Sequence, residues 1–293
     1  MRNGRGNTHV GTVPSPVMPV PEGPDPLALL DLAVPVAEKA ADLLRAGVGR
    51  TRLSVTTKTT ATDMVTEMDR ASEDLIVGAL LGARPDDGIV AEEGSARIGT
   101  SGIRWVIDPL DGTTNYLYDF PGWAVSIAAE TEGDGVGAND VVAGVVLDVV
   151  HGELYTAARG HGARCNGEPI ACSPQSDVAD ALLATGFAYR PERRRAQAET
   201  LVRLLPQVRD IRRMGAASVD LCNVARGRVD AYFEKGLSWW DLAAGALIAR
   251  EAGAVVTALD GAPVVPESVF AATPGIAAPL RALLCALGAN DVR

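Results

Sequence analysis

The chain has 293 residues, of which 47% are hydrophobic and 22% charged, and its formal net charge is −10. This composition is typical of a folded globular protein and excludes a low-complexity, disordered chain. The excess of acidic residues argues against a nucleic-acid partner, which would require clustered Lys and Arg. No apolar run approaches the roughly 18 residues that a membrane-spanning helix needs, so we expect no membrane partner.

The chain begins with a segment that is rich in Gly and Pro. We predict that residues 1–24 form a disordered tail, and five prolines interrupt any hydrophobic core of a signal peptide. The four cysteines show no C-x-x-C spacing. They are therefore expected to be reduced and to pack as small apolar groups, which is typical of a cytoplasmic protein.

Hydrophobic periodicity predicts two helices followed by strands. The first helix is expected to start at Asp25, as N-cap, with Pro26 in its first turn, and to end at Gly47. A second helix is predicted over 69–83. Consecutive strands are predicted from residue 88 to about 170, and helices alternate with strands thereafter. We therefore expect an α+β lobe over 25–178 and an α/β lobe over 179–293, sharing one active site.

The most informative motif lies where an apolar strand ends in acidic residues. This strand delivers Asp108 to its end, Pro109 is expected to stop the ladder, and Asp111 follows three residues after Asp108. Gly112 and Thr113 then offer backbone N–H groups to a phosphate where a helix could begin. Taken alone, the D-x-x-D-G spacing is more typical of a surface turn.

Further acidic residues occur at the ends of other predicted elements. Glu92 and Glu93 follow a short strand, Asp241 opens a helix, and Asp69 begins the second helix. For Asp241 and Asp69 a purely structural role as helix N-cap is a complete alternative.

Several motifs occur in the order found in a known family. They are K-x(4)-D-x-V-T-x-x-D at 58–69, Ala91-Glu92-Glu93, W-x-I-D-P-x-D-G-T-x-N at 105–115, the segments 212–215, 220–222 and 227–234, and Trp240-Asp241-Leu242-Ala243-Ala244-Gly245. Over nearly everything after residue 25, the chain resembles the Mg²⁺-dependent, lithium-sensitive inositol monophosphatase family. The resemblance implies a layered αβαβα sandwich of the sugar-phosphatase type.

The resemblance also implies a set of metal ligands. Glu92, Asp108 and the Leu110 carbonyl would hold a first Mg²⁺, and Asp108, Asp111 and Asp241 a second. A third, weaker ion would bind at Glu92, and Mn²⁺ could replace Mg²⁺.

The remaining roles follow from the same resemblance. Thr113 and Asp69 would orient the attacking water and take its proton, with Glu92 counted among the catalytic residues. The residues expected to bind phosphate or substrate are Gly112, Thr113, Asp111, Ala217, Glu234 and Asp241. Lys58 and Glu93 would support the site.

Elementary electrostatics gives an independent reason to expect cations. Two carboxylates ~4 Å apart repel by roughly 4 kcal/mol at an effective dielectric constant of 20. A convergence of four would not stay ionised without bound cations, and oxygen ligands favour Mg²⁺ or Mn²⁺ over zinc. Two such ions can stabilise both the entering and the departing oxygen of an in-line displacement.

These expectations define a function with stated alternatives. The resemblance implies hydrolysis of inositol monophosphate to inositol and phosphate by metal-activated water, in a homodimer. Glu234 favours inositol because a carboxylate accepts hydrogen bonds from ring hydroxyls. Ala216 and Tyr118-Asp119 depart from the family pattern, so histidinol phosphate, fructose 1,6-bisphosphate and phosphoadenosine phosphate remain alternative substrates. A regulatory protein that retains the fold is a further alternative.

Overall fold

The computed structural model describes residues 24–48, 56–57, 64–65, 67–131 and 141–290. The predicted disordered tail and the predicted supporting residue Lys58 lie outside these ranges, apart from residue 24 at the end of the tail. Within these ranges, no helix combines the length and the apolar character that crossing a bilayer requires. The four cysteines are free thiols, as predicted, although Cys285 is exposed rather than packed in the core.

The first helix, α1 (Pro26–Gly47), begins and ends where the sequence predicts. Asp25 accepts a hydrogen bond from the Leu27 backbone N–H at 3.0 Å, which satisfies one of the free donors of the first turn. Its buried side chains recur at helical spacing and form one apolar face. They are Leu29, Ala33, Val36, Ala37, Ala40, Ala41 and Leu44.

A short hairpin and a second helix follow. Strands β1 (Thr56–Thr57) and β2 (Met64–Val65) pair antiparallel, and helix α2 (Glu67–Ala83) begins two residues earlier than predicted. Ile76 and Leu80 of α2 are buried in the same core as α1. The two helices therefore cover one face of the sheet that comes next.

The larger sheet has eight strands in the order β10-β9-β8-β7-β6-β5-β3-β4. Only the pairing of β3 with β5 is parallel within this sheet. The short helix α3 (Thr113–Leu117) follows β5 directly. The strands are β3 (Gly88–Ala91), β4 (Ala96–Arg97), β5 (Ile103–Asp111), β6 (Ala124–Thr131), β7 (Val141–Asp148), β8 (Glu153–Ala158), β9 (Ala163–Cys165) and β10 (Glu168–Pro169).

The smaller sheet has five strands in the order β12-β11-β13-β15-β14. Strand β11 is parallel to both of its neighbours, whereas β15 is antiparallel to both of its own. The strands are β11 (Leu182–Thr185), β12 (Asp210–Arg212), β13 (Ala231–Glu234), β14 (Val255–Thr257) and β15 (Val269–Ala272). The helices of this part are α4 (Pro191–Leu204), α5 (Ala217–Ala225), α6 (Trp239–Glu251) and α7 (Pro274–Ala286), with single 3-10 turns at Val178–Asp180 and Leu205–Gln207.

Three apolar cores separate five layers. One core joins α1 and α2 to the eight-stranded sheet, a second places α5 and α6 between the two sheets, and a third joins the five-stranded sheet to α4 and α7. The predicted layered αβαβα sandwich is therefore confirmed. Helices α5 and α6 pack against both sheets. The predicted division into two lobes between residues 178 and 179 stays a prediction.

Two local predictions are wrong. Asp241 does not cap α6, because the helix begins at Trp239 after the N-cap Ser238, and Asp241 is the third helical residue. Pro109 does not end β5, which continues to Asp111 through an irregularity in its pairing with β6. A proline is tolerated where the ladder is already interrupted by a bulge.

A bidentate ion pair links the eight-stranded sheet to the segment after α5. Arg228 donates through both Nη atoms to the carboxylate of Glu153 on β8, each at 2.6 Å, and Arg226 donates to the same carboxylate. Burial opposes the ionised form of Glu153. The hydrogen bonds from Arg228, Tyr155 and Arg226 outweigh this effect and lower its pKa from 4.5 to about 2.

This lowered pKa predicts how stability depends on pH. A carboxylate whose pKa is lower in the folded state contributes stability above its unfolded pKa and loses it as the pH falls towards its folded pKa. We expect Glu153→Gln to lower the free energy of unfolding by about 1–3 kcal/mol at pH 7. The difference from the parent should shrink below pH 4.5 and vanish near pH 2.

Chemical denaturation of both proteins at successive pH values between 7 and 3 measures this difference. Glu168→Gln on the exposed strand β10 is the matched control, and it should change stability by less than about 0.5 kcal/mol. A stability difference for Glu153→Gln that stays constant down to pH 3 would contradict the prediction.

Candidate active site

Two parallel strands bring the first acidic pair together. β3 and β5 run in parallel with Ala91 opposite Ile107, so the next residues, Glu92 and Asp108, leave the sheet at the same edge. The backbone N–H of Glu92 donates to the Ile107 carbonyl at 3.2 Å, which continues the ladder. The parallel pairing therefore places Glu92, which follows β3, beside Asp108, which lies within β5.

A bulge places Asp108 and Asp111 on the same side of the sheet. Asp108 pairs with Ser126 and Asp111 with Ala124, so two residues of β5, Pro109 and Leu110, lie opposite the single residue Val125 of β6. In a regular strand, residues three apart point to opposite faces. Because Ser126 and Ala124 share one face, their partners Asp108 and Asp111 share it too. This is the face that packs against α5 and α6.

The turn after the bulge is fixed by backbone hydrogen bonds and by a glycine. The Leu110 N–H donates to Oδ1 of Asp108 at 3.0 Å, and the Thr113 hydroxyl donates to the Leu110 carbonyl at 3.2 Å. Gly112 has a φ of 90°, and a Cβ there would lie 2.6 Å from the Gly122 carbonyl oxygen. Only glycine fits this position, and α3 starts at the next residue.

Asp111 is also held by the N-terminus of α5. Its Oδ2 accepts hydrogen bonds from the backbone N–H of Ser218 at 2.8 Å and from the Ser218 hydroxyl at 2.6 Å. The Ala217 N–H also bonds this carboxylate. Asp241 similarly uses Oδ2 to accept the Ser238 N–H at 2.6 Å. Both acids thus have fixed orientations.

The acids of this site affect one another's ionisation. Burial raises the pKa of Asp108 well above its usual value, and the charges of Glu92, Asp111 and Asp241 raise it further. The pKa of Asp241 is raised in the same way by burial, by Asp111, and by Glu92 and Glu234. These carboxylates therefore repel one another in a site where Asp108 and Asp111 are buried and Asp241 is half-buried.

Arg213 moderates the charge of this cluster. Burial raises the pKa of Asp111 to about 6, although hydrogen bonds from Ser218 and Ala217 and the nearby Arg213 oppose the shift. Burial likewise raises the pKa of Glu234 to about 7, against the opposing effects of Tyr232 and Arg213. Arg213 therefore favours ionised carboxylates at this edge.

The first turns of α2 lie against the same loop. Asp69 is 2% exposed, and the Ser72 hydroxyl, one turn further along α2, donates to the Pro109 carbonyl at 3.0 Å. Burial, with the charge of Asp69, raises the pKa of Tyr116 to about 12. Since Tyr116 belongs to α3, Asp69 lies near the short helix that begins with Thr113.

Glu93 has a supporting contact that the sequence did not indicate. Glu73 on α2 is buried, and its two carboxylate oxygens accept the N–H groups of Glu93 at 2.7 Å and of Ser95 at 2.8 Å. Oε2 of Glu93 also lies 3.9 Å from Nε of Arg70. The loop that carries Glu92 is therefore anchored to α2.

The sequence analysis missed several members of the site. Ser218 orients Asp111, Arg213 moderates the charge, and Asp220 on α5 is 1% exposed. Burial and the charges of Glu234 and Asp111 raise the pKa of Asp220 well above its usual value. Arg213 and Asp220 lie in the motif segments 212–215 and 220–222 but were given no role at the site, and Ser218 lies outside these segments.

Within the described ranges, no three Asp, Glu, His or Cys side chains are already arranged so that they could hold a metal ion. The acids nevertheless fit divalent cations by chemistry. Their donor atoms are all oxygen, they are desolvated, and their charges oppose one another. A carboxylate has about four lone-pair sites, so the hydrogen bonds to Asp108, Asp111 and Asp241 leave room for a ligand.

A separate cavity of about 360 Å³ opens beside the strand end that carries Glu234. It is lined by Ala188, Arg193, Gln197, Lys235, Gly236, Glu267, Ser268 and Asn290. None of the carboxylates described above lines it, so charge and burial, not cavity size, identify the candidate site.

Comparisons with known proteins agree with this arrangement. The inositol monophosphatase family matches residues 25–289. An inositol-1-monophosphatase from Mycobacterium leprae is 44% identical over 254 residues, which are 83% of this chain and 84% of the relative. A Nus factor SuhB from Pasteurella multocida is 41% identical over 235 residues, which are 80% of this chain and 86% of the relative.

A solved structure gives the same result for the fold. Mycobacterium tuberculosis SuhB superimposes with a TM-score of 0.75 at 41% identity, over 90% of this chain and 98% of the other. Sequence and fold agree with the resemblance carried by the acidic motifs, and the chain belongs to the inositol monophosphatase family.

Proposed function

We propose that the protein is a Mg²⁺-dependent phosphomonoesterase that hydrolyses inositol monophosphate to inositol and phosphate. Membership of the inositol monophosphatase family supports phosphatase activity in general. One observation carries the specific proposal, namely that Glu92, Asp111 and Asp241 each raise the pKa of the buried Asp108. Such a convergence of like charges is costly unless cations neutralise it.

The proposed ligands are those that the family resemblance implies. Glu92, Asp108 and the Leu110 carbonyl would hold one Mg²⁺, and Asp108, Asp111 and Asp241 a second, while Glu92 would contribute to a third. The Leu110 carbonyl accepts the Thr113 hydroxyl and keeps a second lone pair for a cation. When bound, the cations offset the negative charge of the phosphate and lower the pKa of water. Mn²⁺ has the same preference for oxygen ligands.

The residues around the turn would bind phosphate and move a proton. The N–H groups of Gly112 and Thr113, at the start of α3, are proposed to donate to phosphate oxygens. Because the Thr113 hydroxyl gives its own hydrogen to the Leu110 carbonyl, its oxygen can accept a hydrogen bond from the attacking water. The proton of that water would pass to Asp69, whose burial keeps bulk water away.

The other side of the site would bind the alcohol part of the substrate. Glu234 and Asp241 are proposed to accept hydrogen bonds from its hydroxyls. Ala217, the first residue of α5, is also proposed to bind the substrate. The relative named inositol-1-monophosphatase, at 44% identity, supports inositol phosphate as the substrate. A homodimer in the cytoplasm also belongs to this proposal.

A regulatory role is the second candidate, because a relative at 41% identity is named Nus factor SuhB. The two functions can coexist on one fold, since one site can be catalytic while another surface binds a partner. The variant Asp108→Asn distinguishes them, because a regulatory function would survive the loss of turnover.

The first prediction from this proposed function concerns the metal requirement. Purified protein should release phosphate from inositol 1-phosphate with Mg²⁺, and excess EDTA should abolish the release because the acids then lack their counter-ions. Li⁺ should inhibit the reaction, as the family resemblance suggests. A phosphate-release assay measures all three, with Mg²⁺ restored after EDTA as the control. Full activity in EDTA would exclude a metal-dependent mechanism.

The second prediction concerns Asp108. Asp108→Asn keeps the shape but removes one charge from the proposed ligands of both cations, so kcat should fall about 10³-fold or more. The thermal midpoint in EDTA should be equal to or above that of the parent, because a buried, repelled charge has been removed. Asp260→Asn, in an exposed turn, is the matched control and should leave kcat unchanged. An Asp108→Asn protein as active as the parent would remove Asp108 from the mechanism.

The third prediction concerns substrate choice. The kcat/KM for inositol 1-phosphate should exceed that for fructose 1,6-bisphosphate, phosphoadenosine phosphate and histidinol phosphate, since Glu234 is proposed to accept hydrogen bonds from polyol hydroxyls. A continuous phosphate assay under one set of conditions gives the comparison. A preference for histidinol phosphate would overturn the inositol assignment and leave the hydrolytic chemistry intact.

A further inference from the structure

A tyrosine hydroxyl holds one side of the Glu234 carboxylate. The hydroxyl of Tyr232 donates to Oε2 of Glu234 at 2.6 Å. Residues two apart on a strand point to the same face, so Tyr232 and Glu234 share one face of β13 while Phe233 packs into the core on the other. Tyr232 is 0% exposed. Its hydroxyl therefore has no bulk water to bond in place of Glu234.

A glycine lies against the same carboxylate on the neighbouring strand. β11 and β13 are parallel, with Ala184 opposite Tyr232 and Thr185 opposite Phe233, so Gly186 comes next to Glu234. A Cβ on Gly186 would lie 1.9 Å from Oε2 of Glu234. The missing side chain at Gly186 therefore provides the space that the carboxylate occupies.

These two contacts oppose a repulsive field. The charge of Glu234 raises the pKa of Asp241 and of Asp220, and Asp111 in turn raises the pKa of Glu234. Oδ1 of Asp220 has no hydrogen-bond partner among the described residues, and this side chain is 1% exposed. Without a fixed donor, the Glu234 carboxylate would rotate away from its acidic neighbours. The Tyr232 hydroxyl supplies that donor.

We propose that Tyr232 and Gly186 are positioning residues that fix the Glu234 carboxylate, so that Oε1 accepts a hydrogen bond from a substrate hydroxyl and polyol phosphates are selected over esters without such hydroxyls. This inference rests on the proposed phosphatase function. Neither residue touches the phosphate in this scheme. Their effect falls on substrate binding and discrimination, while the chemical step at Asp108 and Thr113 is unaffected.

The experiment compares two phosphate esters. Inositol 1-phosphate carries ring hydroxyls, and 4-nitrophenyl phosphate carries none. Tyr232→Phe should lower kcat/KM for inositol 1-phosphate about tenfold, mainly through KM, because the carboxylate is no longer oriented. For 4-nitrophenyl phosphate the change should stay below about twofold. The ratio of the two kcat/KM values is the quantity measured.

A second variant disturbs the same carboxylate without touching Tyr232. In Gly186→Ala, the new methyl group would displace the end of the flexible Glu234 side chain. The fold is therefore expected to survive, and the ratio should fall as it does for Tyr232→Phe. Glu234→Gln should lower the ratio at least as much as either variant.

The chain offers a matched control in the same core. The hydroxyl of the buried Tyr155 donates to Oε2 of Glu153 at 2.7 Å, again a glutamate two residues away on a strand. Tyr155→Phe removes an equivalent hydrogen bond outside the proposed substrate site. It should leave the ratio of the two kcat/KM values unchanged, even if the thermal midpoint falls.

The possible outcomes separate the inference from the proposed function. An equal loss on both esters in Tyr232→Phe and Gly186→Ala, or no loss on either, would contradict the positioning role while leaving the phosphatase proposal in place. A wild-type protein that hydrolyses neither ester in Mg²⁺ would contradict the proposed function and this inference with it. A selective loss for inositol 1-phosphate in both variants would support the inference.

Discussion

The repulsion among buried carboxylates is the constraint around which this fold is organised. Asp108 and Asp111 come from a strand of the larger sheet and Asp241 from a helix packed against it, and Asp111 and Asp241 both raise the pKa of Asp108. Backbone and side-chain donors hold each acid in place, including Ser218 at Asp111 and the backbone N–H of Ser238 at Asp241. Holding these like charges together lowers the stability of the fold, as expected of a site that binds cations.

Several smaller features of the structure also hold these acids in position. The bulge in β5 puts Asp108 and Asp111 on one face, and Gly112 allows the chain to turn at once into α3. Glu73 fixes the loop that carries Glu92 by accepting two backbone N–H groups. The bulge and Gly112 act on neighbouring acids, whereas Glu73 acts on a loop about 20 residues away.

The sequence predicted the elements well because their hydrophobic periods are regular and their ends carry Gly, Pro or Asp. The sequence-based prediction was wrong where contacts with other segments determined how an element begins or ends. Pro109 is a strand breaker by its local chemistry, but the bulge lets β5 continue to Asp111. Asp241 is a preferred N-cap residue, but Ser238 takes that place and Asp241 becomes its partner at the third helical position. Arg213 lies in the motif segment 212–215, but its electrostatic role could not be predicted, because that role arises from acids that are distant in the sequence.

The bond between Asp111 and Ser218 joins residues 107 positions apart, one at the end of a strand in the larger sheet and the other at the start of the helix layer between the sheets. The site is therefore complete only while the two parts stay docked. A slight separation of these layers would free Asp111 before any strand or helix is lost. Enzymatic turnover would then depend on the contact between the larger sheet and the helix layer. Inactivation by mild denaturant would precede the loss of secondary structure measured by circular dichroism.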